Sequence, residues 1–316
     1  MKRFFKKTAG FGLLFLGVVL FFAIGRILLI RNDKDAYIMA FFAKREMLAG
    51  KNHRQQQSII LLGGSNVAFG FDSRMIREAT GLPVINTGVT AHFGLKFMLD
   101  NIAEYLRKGD ILIVAPEYHH FYGNKAYGWA NTDDIIALIC LDTSVISGFD
   151  TEQFKMALCN AGSFLCHSIS VFAKWPVNTD MKGYKRSGFN EYGDYVKHRT
   201  MPSRPYTHAS PADFDTINTA FLDYCENAVA ALRNRGIQVI IIPPSFAETS
   251  YRKVEERLIP LFSELGKRNL GFSIPPQESA YPDSLFFDTH YHLSHEGVLI
   301  RTKQLVRLME TGGFVR

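Results

Sequence analysis

Four short apolar runs constrain what this chain can fold into: Ser58 to Leu62, Leu82 to Ile85, Asp110 to Ala115 and Ile237 to Ile242. Each is dominated by Ile, Leu and Val and spans four to six residues. Such runs suit strands buried on both faces of a parallel sheet better than strands with one wet face. Between them, apolar residues recur at helical spacing. Ser73 to Thr80 reads as one helix, and Leu95, Met98, Leu99, Ile102 and Leu106 form the stripe of a second, stopped by Gly109. Phe214, Ile217, Phe221, Tyr224, Ala228 and Leu232 form a third stripe, with Ser210 as cap, Pro211 in the first turn and Gly236 as its stop. Strands alternating with helices predict an α/β fold with a parallel sheet covered on both faces. Active residues are then expected at the carboxyl ends of the strands.

A chain of 316 residues, 47% hydrophobic and 21% charged, can bury one catalytic-size domain with additions. Its net charge of +6 is spread along the sequence, which argues against a nucleic-acid partner. The exception is the N-terminus, where Lys2, Arg3, Lys6 and Lys7 precede an apolar run from Thr8 to Gly25 that resumes from Ile27 to Ile30. Residues 1–31 read as a transmembrane anchor, with Arg26 snorkelling to the interface. A cleaved signal is the alternative, but Ala23-Ile24-Gly25-Arg26-Ile27 offers no small-x-small cleavage site. The basic N-terminal cluster favours a cytoplasmic N-terminus and an extracytoplasmic bulk, against the opposing pull of Arg26, Arg31 and Lys34.

Residues 32–57 read as a connector in which Ala36 to Leu48 can form a short helix, and 58–316 as the main domain. Its regularity lapses between about 119 and 209, an inserted region whose stretch from Trp175 to Pro205 is rich in Tyr, Gly, Asn, Lys and Arg. A structureless loop of that length is unusual, so short helices and a lid role are expected. Cys140, Cys159, Cys166 and Cys225 lack CxxC spacing; buried free thiols are the plain expectation, and Cys159–Cys166 is the closest pair for a bridge.

Ser65 ends the first apolar run as Leu61-Leu62-Gly63-Gly64-Ser65-Asn66. After a strand and before a helix, a serine hydroxyl is exposed where backbone amides face an incoming anion; on this fragment alone a turn or N-cap serine fits equally. No Gly-Lys-Ser follows, a third spaced glycine is missing, and Val67 stands where a Gly-x-Ser-x-Gly elbow has glycine. Near the other terminus runs Asp288-Thr289-His290-Tyr291-His292. Serine, histidine and aspartate supply a nucleophile, its base and the group that holds the base in the right tautomer.

Gly63-Gly64-Ser65, Asn86-Thr87-Gly88 and the Asp288 to His292 segment stand in the order of the blocks of the SGNH (GDSL-like) hydrolase superfamily, which the chain resembles from Ser58 to Arg307 apart from the insertion. The resemblance extends to its membrane-anchored members that handle acyl groups of cell-envelope polymers. It implies a flavodoxin-like three-layer sandwich, with Ser65, His292 and Asp288 as the catalytic residues. The Ser65 and Gly88 amides would form the oxyanion hole, with the Asn66 or Asn86 side chain as auxiliary. No cofactor and no metal are implied. Two departures stand out: three residues rather than two separate Asp288 from His292, and Pro116-Glu117-Tyr118 stands where the third block supplies an oxyanion asparagine.

Glu117 and Tyr118 are candidates for binding an acceptor, Glu117 reading otherwise as a solvated strand-end acid. Asn190 and Tyr192 suit sugar binding, or a small satellite core. His119 and His120 either line a cleft or lie exposed in a loop. His290, His292 and His295 invite a weak zinc reading, with His290 and His295 otherwise at the rim. The expected function is a serine esterase or O-acyltransferase acting through an acyl-serine on small acyl esters or an acylated cell-envelope polysaccharide. A catalytically silent glycan-binding or assembly protein is the alternative, and a cytoplasmic nucleotide binder a third.

Overall fold

The computed structural model describes residues 1–54, 56–173 and 183–314, so Trp175 lies outside the described residues. The chain divides into two compact units, Met1–Met39 with Ala130–Arg186, and Ala40–Trp129 with Ser187–Arg316.

The second unit holds the sheet. Strands β1 (Ile59–Leu62), β2 (Val84–Asn86), β3 (Ile111–Val114) and β4 (Gln238–Ile241) lie parallel in the order β2-β1-β3-β4. They fall on the four apolar runs, because a continuous Ile/Leu/Val stretch is stable only where both faces are covered. Side chains alternate between the faces. Ile59, Leu61, Ile111, Ile113 and Ile240 pack on one side with Ile76 of α4 (Ser73–Thr80) and with Leu305 and Met309 of α10 (His295–Thr311). Leu62 points to the other side, toward Phe41 of α2 (Ala40–Arg54), Phe93, and Met98 and Ile102 of α5 (Leu95–Ala103). The structure is thus mixed α/β with a central four-stranded parallel sheet.

Local signals set several helix ends. Asp72 caps α4 by accepting from Met75 N–H, and Gly81 ends it at φ 70°. Ser294 caps α10. The helix expected to begin at Ser210 begins elsewhere. Ser210 caps only a 3-10 turn, Pro211–Asp213, and α8 (Thr219–Asn234) takes Asn218 as its cap. Phe214, assigned to the α8 stripe, instead lies fully buried against His119 and Tyr122. The fold is completed by a four-residue α3 (Ser65–Ala68), by α9 (Glu248–Lys267), and by a parallel pair β5 (Phe246–Ala247) and β6 (Ala280–Tyr281). Residues 40–54 are more than a connector, since Phe41 and Leu48 of α2 are core residues of this unit.

The first unit is helical, with α1 (Lys2–Asn32), α6 (Asp134–Leu141) and α7 (Thr151–Ala173). α1 is uninterrupted, and an 18-residue window within Lys6–Asn32 has mean hydropathy 2.8, long and apolar enough to cross a membrane. Arg26 does not extend alone toward an interface. It pairs with Asp133 at 2.6 Å and lies over the Phe164 ring. All four cysteines are free; Cys159 and Cys166 sit about two helical turns apart on α7, beyond disulfide reach.

Replacing Ile113, buried at the centre of the sheet, by Ala should cost about 2–5 kcal/mol, read as a lowered denaturation midpoint for the detergent-solubilised chain. A loss below about 0.5 kcal/mol would be the surface value and would contradict a doubly covered β3.

Candidate active site

The carboxyl ends of β1, β2 and β3 converge through glycines that allow close approach. A methyl group at Gly64 would lie 2.8 Å from the Ala91 backbone and from Glu117 Oε1, and one at Gly88 would lie 2.6 Å from Ala68 N. Ser65 opens α3 directly after this crossing. Its Oγ donates to Glu117 Oε1 at 3.3 Å, and the same oxygen accepts Asn66 N–H at 3.2 Å. Glu117 is 2% exposed, so this acid is a buried acceptor at the serine and not a solvated strand-end residue.

Asn66 is tied down on every side. Its Nδ2 donates to Ala115 O at 3.0 Å, while Arg301 of α10 donates to its backbone oxygen at 2.9 Å and to its Oδ1 at 3.2 Å. Arg301 also donates to Ser245 Oγ and Pro243 O and lies over the Phe71 ring. Burial brings its pKa down to about 10, opposed by the charges of Tyr281, Tyr118 and Glu117. Arg301 belongs to no motif in the sequence. Its signal was a charged residue on the apolar stripe of Val298, Leu305 and Met309.

Asn86 is equally committed. Its Nδ2 donates to Val67 O and Asp194 Oδ1, and its Oδ1 accepts Gly88 N–H at 2.9 Å. Both asparagine side chains are therefore held by partners within the chain, and the Gly88 amide has an internal acceptor. Asp194, fully buried, also accepts from Ser73 N–H and Oγ. Lys44 of α2 donates to Gly88 O and to Gly193 O, with the Phe189 ring below it. Burial lowers its pKa to about 7, opposed by the Asp194 charge.

Asp288 and His292 meet across the extra residue between them. Phe287 N–H bonds to His292 O, and Phe286 pairs with Leu293, closing a tight hairpin before α10. His292 Nδ1 and Asp288 Oδ1 lie 2.8 Å apart, with both side chains under 10% exposed. The His292 ring stacks on Phe69 at 4.1 Å and 8°. Phe69 ends α3, and its N–H bonds to Ser65 O. One short turn thus carries Ser65 at its start and the platform for His292 at its end.

Other expected residues have different places. Tyr118 is a core residue, packed against Phe246, Phe262 and Phe272. Asn190 closes its own turn by accepting Tyr192 and Asp194 N–H, and Tyr192 OH accepts from Arg77 on α4. Tyr192 lines an open depression with Arg74, Arg77 and Glu78. His119 and His120 are buried, not exposed: His119 Nδ1 faces Tyr291 OH and His120 Nε2 faces Ala91 O. Burial lowers both pKa values, and that of His198 to about 3. His290 is half-buried with Nδ1 on Thr207 O, while His295 is exposed.

Comparison with family models, with curated proteins and with solved structures finds no match for this chain.

Lys44 gives a signed pH dependence. The unfolded lysine holds its proton up to about 10.5, whereas the folded one releases it near 7. Between those values the unfolded state binds more protons, so stability rises with pH by about 1.4 kcal/mol per unit from this group. Denaturation midpoints should show this rise for the wild type, and Lys44→Met should flatten it. Equal slopes in both chains would mean that Lys44 stays protonated in the fold.

Proposed function

We propose that this chain is a membrane-anchored serine ester hydrolase or O-acyltransferase, with Ser65 as nucleophile, His292 as base and Asp288 holding the imidazole. The observation that carries the reading is the 2.8 Å Asp288–His292 pair stacked on the turn that Ser65 opens. The strand order 2-1-3-4, with these groups at the carboxyl ends, supports a flavodoxin-like arrangement of the SGNH type.

Ser65 Oγ attacks the acyl carbonyl while His292 Nε2 takes its proton. The imidazolium, stabilised by Asp288, returns that proton to the leaving alkoxide as its bond to the acyl carbon breaks. Water or a sugar hydroxyl then attacks the acyl-serine, losing its proton to His292, which passes it to Ser65 Oγ. Water yields an esterase and a sugar an O-acyltransferase. The substrate class is an acyl ester, acetyl in the simplest case, of a cell-envelope polysaccharide on the extracytoplasmic side.

At rest the Asn66 amide serves Glu117 and the Gly88 amide serves Asn86. The incoming carbonyl oxygen therefore displaces the Glu117 carboxylate to reach donors at Ser65 and Asn66, with Gly88 turning from Asn86. The same Glu117 contact to Ser65 Oγ favours one other reading, a catalytically silent glycan-binding or assembly protein.

A fluorophosphonate probe separates the two. The wild type should label at one site, Ser65→Ala should not label, and Asp288→Asn should label 10²–10⁴-fold more slowly, about the worth of a positioned general base. No labelling of the folded wild type would favour the silent reading. Glu117→Gln removes the charge that opposes an oxyanion and should speed labelling by about tenfold, roughly 1.4 kcal/mol of barrier. Slower labelling would instead make Glu117 a necessary partner of Ser65.

A further inference from the structure

We propose that α7 is a second membrane-embedded element, a helix that dips into one leaflet beside α1, with lipid acyl chains covering its outer face. Three observations carry this, all within the helical unit.

The first is polarity. On α7 the side chains turned inward are Gln153, Asn160 and Ser168 together with Phe164, each at most 3% exposed. Those turned outward include Phe154, Leu158 and Ile169, at 50, 77 and 37%. Lys155 and His167 are exposed as well, but a water-facing helix does not turn its amides inward and its largest apolar side chains outward. Length and composition agree, since α7 has 23 residues and contains an 18-residue window of mean hydropathy 1.4.

The second is how polar groups are satisfied. Ser168 Oγ and Ser170 Oγ donate to the carbonyls of Phe164 and Cys166 one turn back, a partner that needs no water. Arg26 pairs with Asp133 at 2.6 Å, and His167 Nδ1 reaches the same carboxylate at 3.0 Å. Arg26 and Asp133, with side chains 14% and 18% exposed, pair as ionisable groups at membrane depth do, toward the interior of a helix cluster, while the half-exposed His167 meets them from the rim.

The third is register. Phe172 packs on Phe22 and fills the space beside Gly25, while Phe164 meets Arg26. α7 therefore runs antiparallel to α1, and its last turns reach the middle of the apolar anchor. The segment from Phe164 to Ala173 lies at the depth of one leaflet, with Phe154 and Leu158 nearer its surface. Where α1 is in the bilayer, this face of α7 is in it too.

Cys159 and Cys166, both exposed on α7, report on the idea without substitution. The wild-type chain in lipid nanodiscs, whose two faces are open to reagent, is treated with a charged maleimide, and each cysteine is read by fragment mass spectrometry. Cys166 should react several-fold more slowly than after dissolution in denaturing detergent, and Cys159 should be protected less. A fluorophore placed on Cys166 before reconstitution should be quenched by lipids brominated on the acyl chain. Phe11→Cys, on the exposed face of α1, serves as the lipid reference. Rapid labelling of Cys166 in nanodiscs overturns the proposal. Protection without quenching also overturns it, since a second copy and not lipid would then cover the face.

Discussion

Arg301 is the residue on which the carboxyl end of the parallel sheet depends. A fully desolvated guanidinium is tolerable only if its donors find acceptors, and here they find Asn66 O, Asn66 Oδ1, Ser245 Oγ and Pro243 O. The consequence is geometric. The first residues after Ser65, the loop after β4 and the last helix are held to one another. Since α10 follows directly on the hairpin of Asp288 and His292, the histidine is delivered to a turn whose position is already fixed. Removing one partner from such a buried network costs about 3–5 kcal/mol, more than any single cap in this fold.

The parallel strands and the two glycine-bearing loops were legible in the sequence because their causes are local. A run of Ile and Leu needs cover on both faces, and Gly64 and Gly88 stand where backbones approach. The Asp288–His292 pair was legible for the same reason, four residues apart on one hairpin. What was not legible is long-range. Nothing near Tyr118 announces the aromatic cluster that buries it, and nothing near Asn190 announces that Asp194 will anchor β2 and α4 at once. The start of α8 was misplaced because Ser210-Pro211 is a good local cap, yet its capping box closes only a 3-10 turn before Asn218 offers another cap.

Glu117 sets the chemistry of the strand end beside Ser65. An amide side chain at this strand end would present a donor as well as an acceptor, whereas a carboxylate presents only acceptors. It accordingly gathers the donors around Ser65, the hydroxyl and the Asn66 amide. The resting site is therefore already satisfied. Any ligand that binds there through an oxygen must offer those donors a better partner than a buried carboxylate.

The two units differ in what they expose but use the same device for their charges. In the sheet unit apolar side chains turn inward, and buried charges, among them Arg301, Glu117, Asp194 and Lys44, are held by hydrogen bonds. In the helical unit Ile135, Leu138 and Phe164 are buried while Phe11, Phe21 and Leu158 turn outward, and the charges of Arg26 and Asp133 turn toward one another. Each such group is partnered by residues far away in sequence: Arg301 with Asn66, and Arg26 with Asp133. A charge removed from water, whether into a protein core or among apolar helices, demands a partner at a fixed place, while apolar contacts accept many alternatives. The long-range architecture of this chain is therefore specified more by its few buried charges than by its many buried leucines and isoleucines.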